Sequence, residues 1–198
     1  MTMLQSSRAE RAATLVGVGA LALVLGALGF QYIRHLAPCE MCHWQRWPHI
    51  AAAATGILGV SVYRKQPGLG TALTILIVTA IGLTIAHQWQ NWPIAVAAVV
   101  LAGAALTIRD ARGLALIVIG LVAVSGLIGL YQTGMQYHIL PGPQACTGHR
   151  YIIGSDAPPP EVACDVPTWF LFGLALPAYN AIFSLGAAAF GLLLLKRQ

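Results

Sequence analysis

The amino-acid sequence predicts an all-α integral membrane protein, a helical bundle with six transmembrane helices. Hydrophobic residues make up 58% of its 198 residues and charged residues only 9%, whereas a soluble domain carries roughly 25% charged residues. The net charge of +5 comes from basic residues scattered between apolar segments rather than clustered on one face. We therefore expect contact with membrane lipid and no nucleic-acid partner.

The predicted spans are the uncharged segments between ionisable residues. They cover residues 12–32, 47–63, 70–87, 93–108, 113–132 and 174–195 of a single membrane domain, with outer loops at 33–46, 88–92 and 133–170. As one helix, the uncharged segment 66–108 would be roughly 65 Å long, twice the bilayer core of about 30 Å. We expect it to fold back near residues 88–93, which contain two tryptophans and a proline.

The positions of the basic residues predict the orientation. With a cytoplasmic N-terminus, most lysines and arginines fall on the cytoplasmic side, as the positive-inside rule requires. These are Arg8, Arg11, Arg64, Lys65, Arg109, Arg112, Lys196 and Arg197, against Arg34, Arg46 and Arg150 outside. Both pairs of cysteines then follow an odd number of spans, so all four thiols face the same side, away from the cytoplasm.

Two cysteines separated by two residues, Cys39 and Cys42, stand directly before the second span. Such pairs open and close a small disulfide ring with little chain movement and often have a lowered thiol pKa, which favours electron exchange. The alternative is a structural disulfide, but closing so short a loop stabilises a fold little. We interpret this pair as redox-active.

The other two cysteines, Cys146 and Cys164, lie in the longest polar segment. Four cysteines allow three connectivities, and spacing with shared topology favours Cys39–Cys42 and Cys146–Cys164. The second bridge could staple a proline-rich loop, or it could exchange with the thiolate of another protein. Two pairs on one side of a membrane suggest an electron relay.

Arg46 follows Cys42 by four residues, one turn along a helix that begins there. A cation at that position favours a thiolate and offers a donor to a ring carbonyl, whereas the alternative is a contact with lipid phosphate. Histidines near the outer face could bind a metal together with Cys39 and Cys42. Regular Cys and His ligand spacings are absent, so we expect no metal site.

The chain resembles the DsbB family of disulfide bond formation proteins, in a form similar to that of alphaproteobacteria. The resemblance rests on Pro38-Cys39-x-x-Cys42-x-x-Gln45-Arg46-x-Pro48, on residues 126–148 with Gly142-Pro143-Gln144-Ala145-Cys146, on Cys164 and on residues 173–180. It implies a protein dithiol:quinone oxidoreductase of the bacterial inner membrane, with its active cysteines facing the periplasm. The implied partners are a DsbA-like periplasmic thiol oxidase and a membrane quinone, with ubiquinone favoured over menaquinone.

The resemblance also implies residue roles. The DsbA-like thiolate attacks Cys146, the released Cys164 exchanges with Cys39, and Cys42 passes electrons to the quinone, which Arg46 binds. Family members have a four-helix core, so residues 66–110 are an inserted hairpin of unknown role. Many relatives carry a histidine near the quinone where this chain has Gln132, and His87 is a candidate substitute.

Other functions stay open at this stage. A vitamin K epoxide reductase-like thiol oxidase also couples two cysteine pairs to a quinone, although its quinone-proximal motif comes late in the chain. A metal transporter or sensor would use the outer cysteines and histidines. A membrane scaffold would use the bundle alone.

Overall fold

The computed structural model describes residues 3–89, 110–142 and 162–196. Within these ranges, the helices are α1 (Met3–Tyr32), α2 (Glu40–Ala54), α3 (Val60–Lys65), α4 (Pro67–Trp89), α5 (Ala111–Gln136) and α6 (Leu176–Lys196). A π-helical segment, Thr55–Gly59, joins α2 to α3, so the chain is helical from 40 to 65. The prediction of an all-α membrane protein is confirmed, because the only sheet among the described residues is one short hairpin.

The helices overlap the predicted spans but have different ends. Helix α2 begins at Glu40, within the predicted loop 33–46, because Cys39 caps its first turn. Helix α5 continues to Gln136, beyond the predicted end at 132. The predicted span 93–108 lies outside the described residues.

Helices α1, α2, α5 and α6 pack together as the core of the bundle, with α5 in contact with the other three. Their shared core is built largely from small and β-branched residues on facing sides. Helix α4 packs against α3 and the π-helical segment. It therefore lies beside the four-helix core.

Small residues allow α1 and the π-helical segment to approach closely. A Cβ atom added to Gly56 would lie 2.5 Å from the Ala13 carbonyl oxygen and 2.9 Å from the Gly17 Cα. Such distances are shorter than van der Waals contact, so this crossing requires glycine. The close approach sets the separation of α1 and α2, between which the candidate site lies.

The protein is a multi-pass membrane protein. Three of the described helices are long and apolar enough to cross a bilayer, namely Arg8–Tyr32, Ala111–Gln136 and Leu176–Lys196. Many large apolar side chains on these helices point outward, including Leu25, Leu127 and Phe183, each more than half exposed. Outward leucine and phenylalanine are the expected composition of a surface that contacts lipid.

A β-hairpin lies directly before α6 and overlaps the end of the predicted loop 133–170 and the start of the predicted span 174–195. Strand β1 (Phe170–Leu171) pairs antiparallel with β2 (Leu174–Ala175). The turn between them has positive φ at Phe172 (49°) and Gly173 (78°). Two successive residues with positive φ form the turn that suits a two-residue hairpin and cannot continue a helix.

Candidate active site

The thiols of Cys39 and Cys42 lie at the N-terminus of α2. Cys39 is the cap residue, and its sulfur accepts a hydrogen bond from the Cys42 backbone nitrogen at 3.3 Å. Both cysteines are free thiols, Cys39 buried and Cys42 half-buried. The positive end of the helix dipole and its free N–H groups favour negative charge at this position.

The two thiols differ in acidity. The hydrogen bond from the Cys39 side chain lowers the pKa of Cys42 to about 7, and the positive charge of Arg46 contributes in the same direction. The same hydrogen bond, together with burial, raises the pKa of Cys39. Near neutral pH, the pair can therefore hold a thiolate at Cys42 beside a thiol at Cys39.

Cys164 joins the pair in a buried cluster of sulfur-containing side chains with Cys39, Met41 and Met135. Cys164 is disulfide-bonded, whereas Cys146 lies outside the described residues. The side-chain nitrogen of Gln132 connects the segments that contain Cys39 and Cys164. Gln132 Nε2 donates to the Cys39 sulfur at 3.1 Å and to the Cys164 carbonyl oxygen at 3.2 Å. The fold thus brings Cys164 next to Cys39, although 125 positions separate them in the chain.

A cavity of about 430 Å³ opens between α1, α2 and α6 beside Cys42. This volume is within the range of about 300–1,000 Å³ that is usual for small-molecule sites. Its walls are mostly apolar, and one side carries a series of aromatic rings. These are Phe30, Trp169, Tyr179 and Phe183, with neighbouring ring centroids 4.9 to 6.4 Å apart.

Arg46 lies in the same cavity wall as Cys42. Its guanidinium donates to the Gln31 side chain and, at 3.5 Å, to the Ala27 carbonyl of α1. Its Nε is buried and has no hydrogen-bond partner among the described residues. A buried donor without a partner is costly, so this atom suits an acceptor group on a bound molecule.

The other predicted site residues lie elsewhere. Gln132 is buried between the cysteine segments and lines a small cavity of about 30 Å³ rather than the large one. His87 is on α4, and its side chain is outside the described residues. In the described part of the chain, no three His, Cys, Asp or Glu side chains are grouped so that they could hold a metal ion.

Several polar residues of the site were not predicted as functional. Hydrogen bonds link these residues into one network inside the bundle: Gln45, His49, Ser125, Asn180 and Ser184. For all but Gln45, which lay in the predicted loop 33–46, the signal was available in the sequence, because polar residues inside apolar spans are often functional. The four-residue spacing of Gln45 with His49, and of Asn180 with Ser184, places each pair on one helix face.

Comparison with known proteins identifies the family to which the chain is similar. The model of one family, disulfide bond formation protein DsbB, matches residues 9–95 and 88–194. The two matched segments cover nearly the whole chain, including all four cysteines. No curated protein and no solved structure matches it.

Proposed function

We propose that this chain, which belongs to the DsbB family of disulfide bond formation proteins, transfers electrons from a periplasmic DsbA-like dithiol protein to a membrane quinone. Family membership and the apolar helices make it a membrane thiol oxidoreductase that forms disulfides. The finer reaction is supported by one observation above all. Cys42, the more acidic thiol of the pair, lines a cavity of ligand size together with a buried arginine donor.

The relay begins at the Cys146–Cys164 disulfide. Support for this pairing is that Cys164 is bonded while Cys39 and Cys42 are free. A thiolate of the reduced partner attacks the Cys146 sulfur, which forms a mixed disulfide and releases Cys164 as a thiolate. The second partner thiolate then closes the partner's disulfide and releases Cys146. The loop pair has now gained the two electrons that the partner lost.

The next exchange passes these electrons to the pair on α2. The Cys164 thiolate attacks Cys39 of an oxidised Cys39–Cys42 pair, and Cys42 leaves as a thiolate. A thiol with a lower pKa leaves faster, which assigns the leaving role to Cys42. Attack by Cys146 on Cys164 then restores the loop disulfide and leaves Cys39 and Cys42 reduced.

The residues of the large cavity fit a quinone. The partnerless Nε of Arg46 can donate to a ring carbonyl, and the aromatic wall offers faces for a planar ring. A bound quinone supplies an acceptor for two electrons and two protons. Closing the Cys39–Cys42 disulfide releases that number of electrons and protons, so the overall reaction balances as dithiol plus quinone to disulfide plus quinol.

The test is oxidation of a reduced periplasmic dithiol protein by the purified chain with added ubiquinone, followed by loss of quinone absorbance and by counting free thiols. We expect one quinone to be consumed for each disulfide formed, and no consumption with Cys42→Ser. Disulfide formation without quinone consumption would contradict the proposal. Repeating the assay with menaquinone establishes which quinone is preferred.

A further inference from the structure

We propose that three side-chain amides form a directed hydrogen-bond chain that stabilises the thiolate of Cys42. The amides belong to Gln132 on α5, Gln45 on α2 and Asn180 on α6. The inference deepens the proposed function, since it assigns positioning residues to the same cysteine pair. It rests on the direction in which each amide must point.

The orientation of Gln132 is fixed by a backbone carbonyl. Its Nε2 lies 3.2 Å from the Cys164 carbonyl oxygen, which can only accept a hydrogen bond. The amide nitrogen must therefore face this side, where it also donates to the Cys39 sulfur at 3.1 Å. Its Oε1 consequently faces away from the cysteines.

Gln45 supplies the donor that this oxygen requires. Its Nε2 donates to Gln132 Oε1 at 2.6 Å, so its own Oε1 faces α6. There, the oxygen accepts a hydrogen bond from Asn180 Nδ2 at 2.7 Å. Both glutamines are buried, with at most 7% of their surface exposed, so water competes little for these bonds.

The far end of the chain is fixed in the same way. Asn180 Nδ2 lies 3.2 Å from the Ser125 carbonyl oxygen, another group that can only accept. Its Oδ1 therefore accepts from the Ser184 hydroxyl at 3.0 Å. Backbone carbonyls at both ends thus impose one direction on all the intervening bonds.

The direction of the chain determines its effect on the sulfurs. Every donor points toward Cys39, so Cys39 receives a hydrogen bond from a polarised amide and becomes a stronger donor to Cys42. Hydrogen bonds in series strengthen one another by roughly 10–30% for each bond.

Charged residues lie on both cysteine-bearing segments: Glu40 follows Cys39 in the first turn of α2, and Asp165 follows Cys164. Arg46 acts on Cys42 through its positive charge. Helices α5 and α6 carry their charged residues, Arg112 and Lys196, at the ends away from Gln132 and Asn180. The Cys42 thiolate therefore depends on the hydrogen bond from Cys39, on the amide chain behind it, on the helix N-terminus and on Arg46.

The experiment measures the reduction potential of the Cys39–Cys42 pair in the full chain without quinone, by equilibration with a dithiol buffer and mass analysis of alkylated peptides. Stabilising a thiolate favours the reduced pair, so breaking the chain should make the pair more reducing. We expect the equilibrium constant to change about fivefold for Gln132→Leu, or about 20 mV. Gln45→Leu should have a smaller effect and Asn180→Leu one of about twofold.

The matched control is Thr133→Val, which removes a hydroxyl next to Gln132 whose one partner among the described residues is the Gly129 carbonyl of its own helix. Its potential should equal that of the original chain. If Gln132→Leu alters the reduction potential but Gln45→Leu and Asn180→Leu do not, the amide chain is overturned. Only the local contact between Gln132 and Cys39 then remains. A variant that does not fold is replaced by the corresponding Met or Ser substitution.

These outcomes are independent of quinone activity. If the variants lower the reduction potential in a graded way but the protein does not reduce quinone, the amide chain is supported and the proposed function is contradicted. Normal quinone reduction, with equal reduction potentials in all variants, would support the proposed function and contradict the amide chain.

Discussion

The Arg46 guanidinium on α2 donates a hydrogen bond to the Gln31 side chain on α1, across one edge of the large cavity. This bond holds the guanidinium against the cavity wall and leaves Nε, which has no partner among the described residues, available to a ligand. The same side chain lowers the pKa of Cys42 through its charge. Arg46 therefore affects both the bound acceptor and the thiol that reduces it.

We expect Arg46→Ala to weaken quinone use more than folding. A hydrogen bond from a charged donor contributes about 1.5–3 kcal/mol, so the apparent KM for quinone should rise roughly 10- to 150-fold. Arg46→Lys should restore only part of the loss, because it returns the charge without the planar donor group. Steady-state kinetics with varied quinone measures both effects.

Arg34→Ala is the matched control, since Arg34 is an exposed arginine on the same predicted side of the membrane. It should keep the quinone kinetics of the original chain. If Arg46→Ala instead has normal quinone kinetics but is lost from the membrane, Arg46 contacts lipid phosphate, the alternative considered from the sequence.

Local features of the site were predictable from the sequence, whereas its long-range contacts were not. Cys42 and Arg46 lie four residues apart on one helix, so spacing alone placed them together. The contact between Gln45 and Gln132 joins residues 87 positions apart, and it depends on how α2 packs against α5. Apolar periodicity does not encode that packing, because lipid-facing and buried positions in membrane helices are both apolar.

The acidity of Cys42 predicts how its reactivity depends on pH. Because the pKa of Cys42 is about 7, its alkylation by iodoacetamide should be half-maximal near pH 7. The rate should fall about tenfold for each unit below that, as the thiolate is protonated. Peptide-level mass spectrometry of the reduced protein gives the rate at each pH. A half-maximum near pH 9, the ordinary value, would contradict the assignment.

Cys164→Ser should trap the soluble partner on Cys146. Without Cys164, the loop disulfide cannot form, and Cys146 is left to join an oxidised partner as a stable mixed disulfide. Non-reducing electrophoresis and peptide mapping of the adduct identify the linked cysteine. An adduct through Cys39 would show that the order of the relay is wrong. Cys42→Ser is the control, since it leaves the loop pair intact.

The orientation deduced from span parity predicts that all four thiols face the periplasm. A membrane-impermeant maleimide added to spheroplasts, after reduction, should label Cys42 and Cys146 without lysis. Cys39 and Cys164 are almost completely buried, so they should label only after denaturation. Labelling of Cys146 that requires lysis, with Cys42 labelled beforehand, would separate the two pairs by the membrane and refute the six-span topology.

The close approach of Gly56 to α1 predicts a loss of stability on Gly56→Ala. The new Cβ would lie 2.5 Å from the Ala13 carbonyl oxygen, so α1 and the π-helical segment must separate. Overpacking of this kind costs about 1–3 kcal/mol, which should lower the thermal midpoint in detergent. Because α1 also forms one wall of the large cavity, quinone affinity should fall as well.

Gly19→Ala on α1 is the control, since its Cβ would meet nothing within 4 Å. Equal midpoints for the two variants would show that α1 can shift at this crossing without cost.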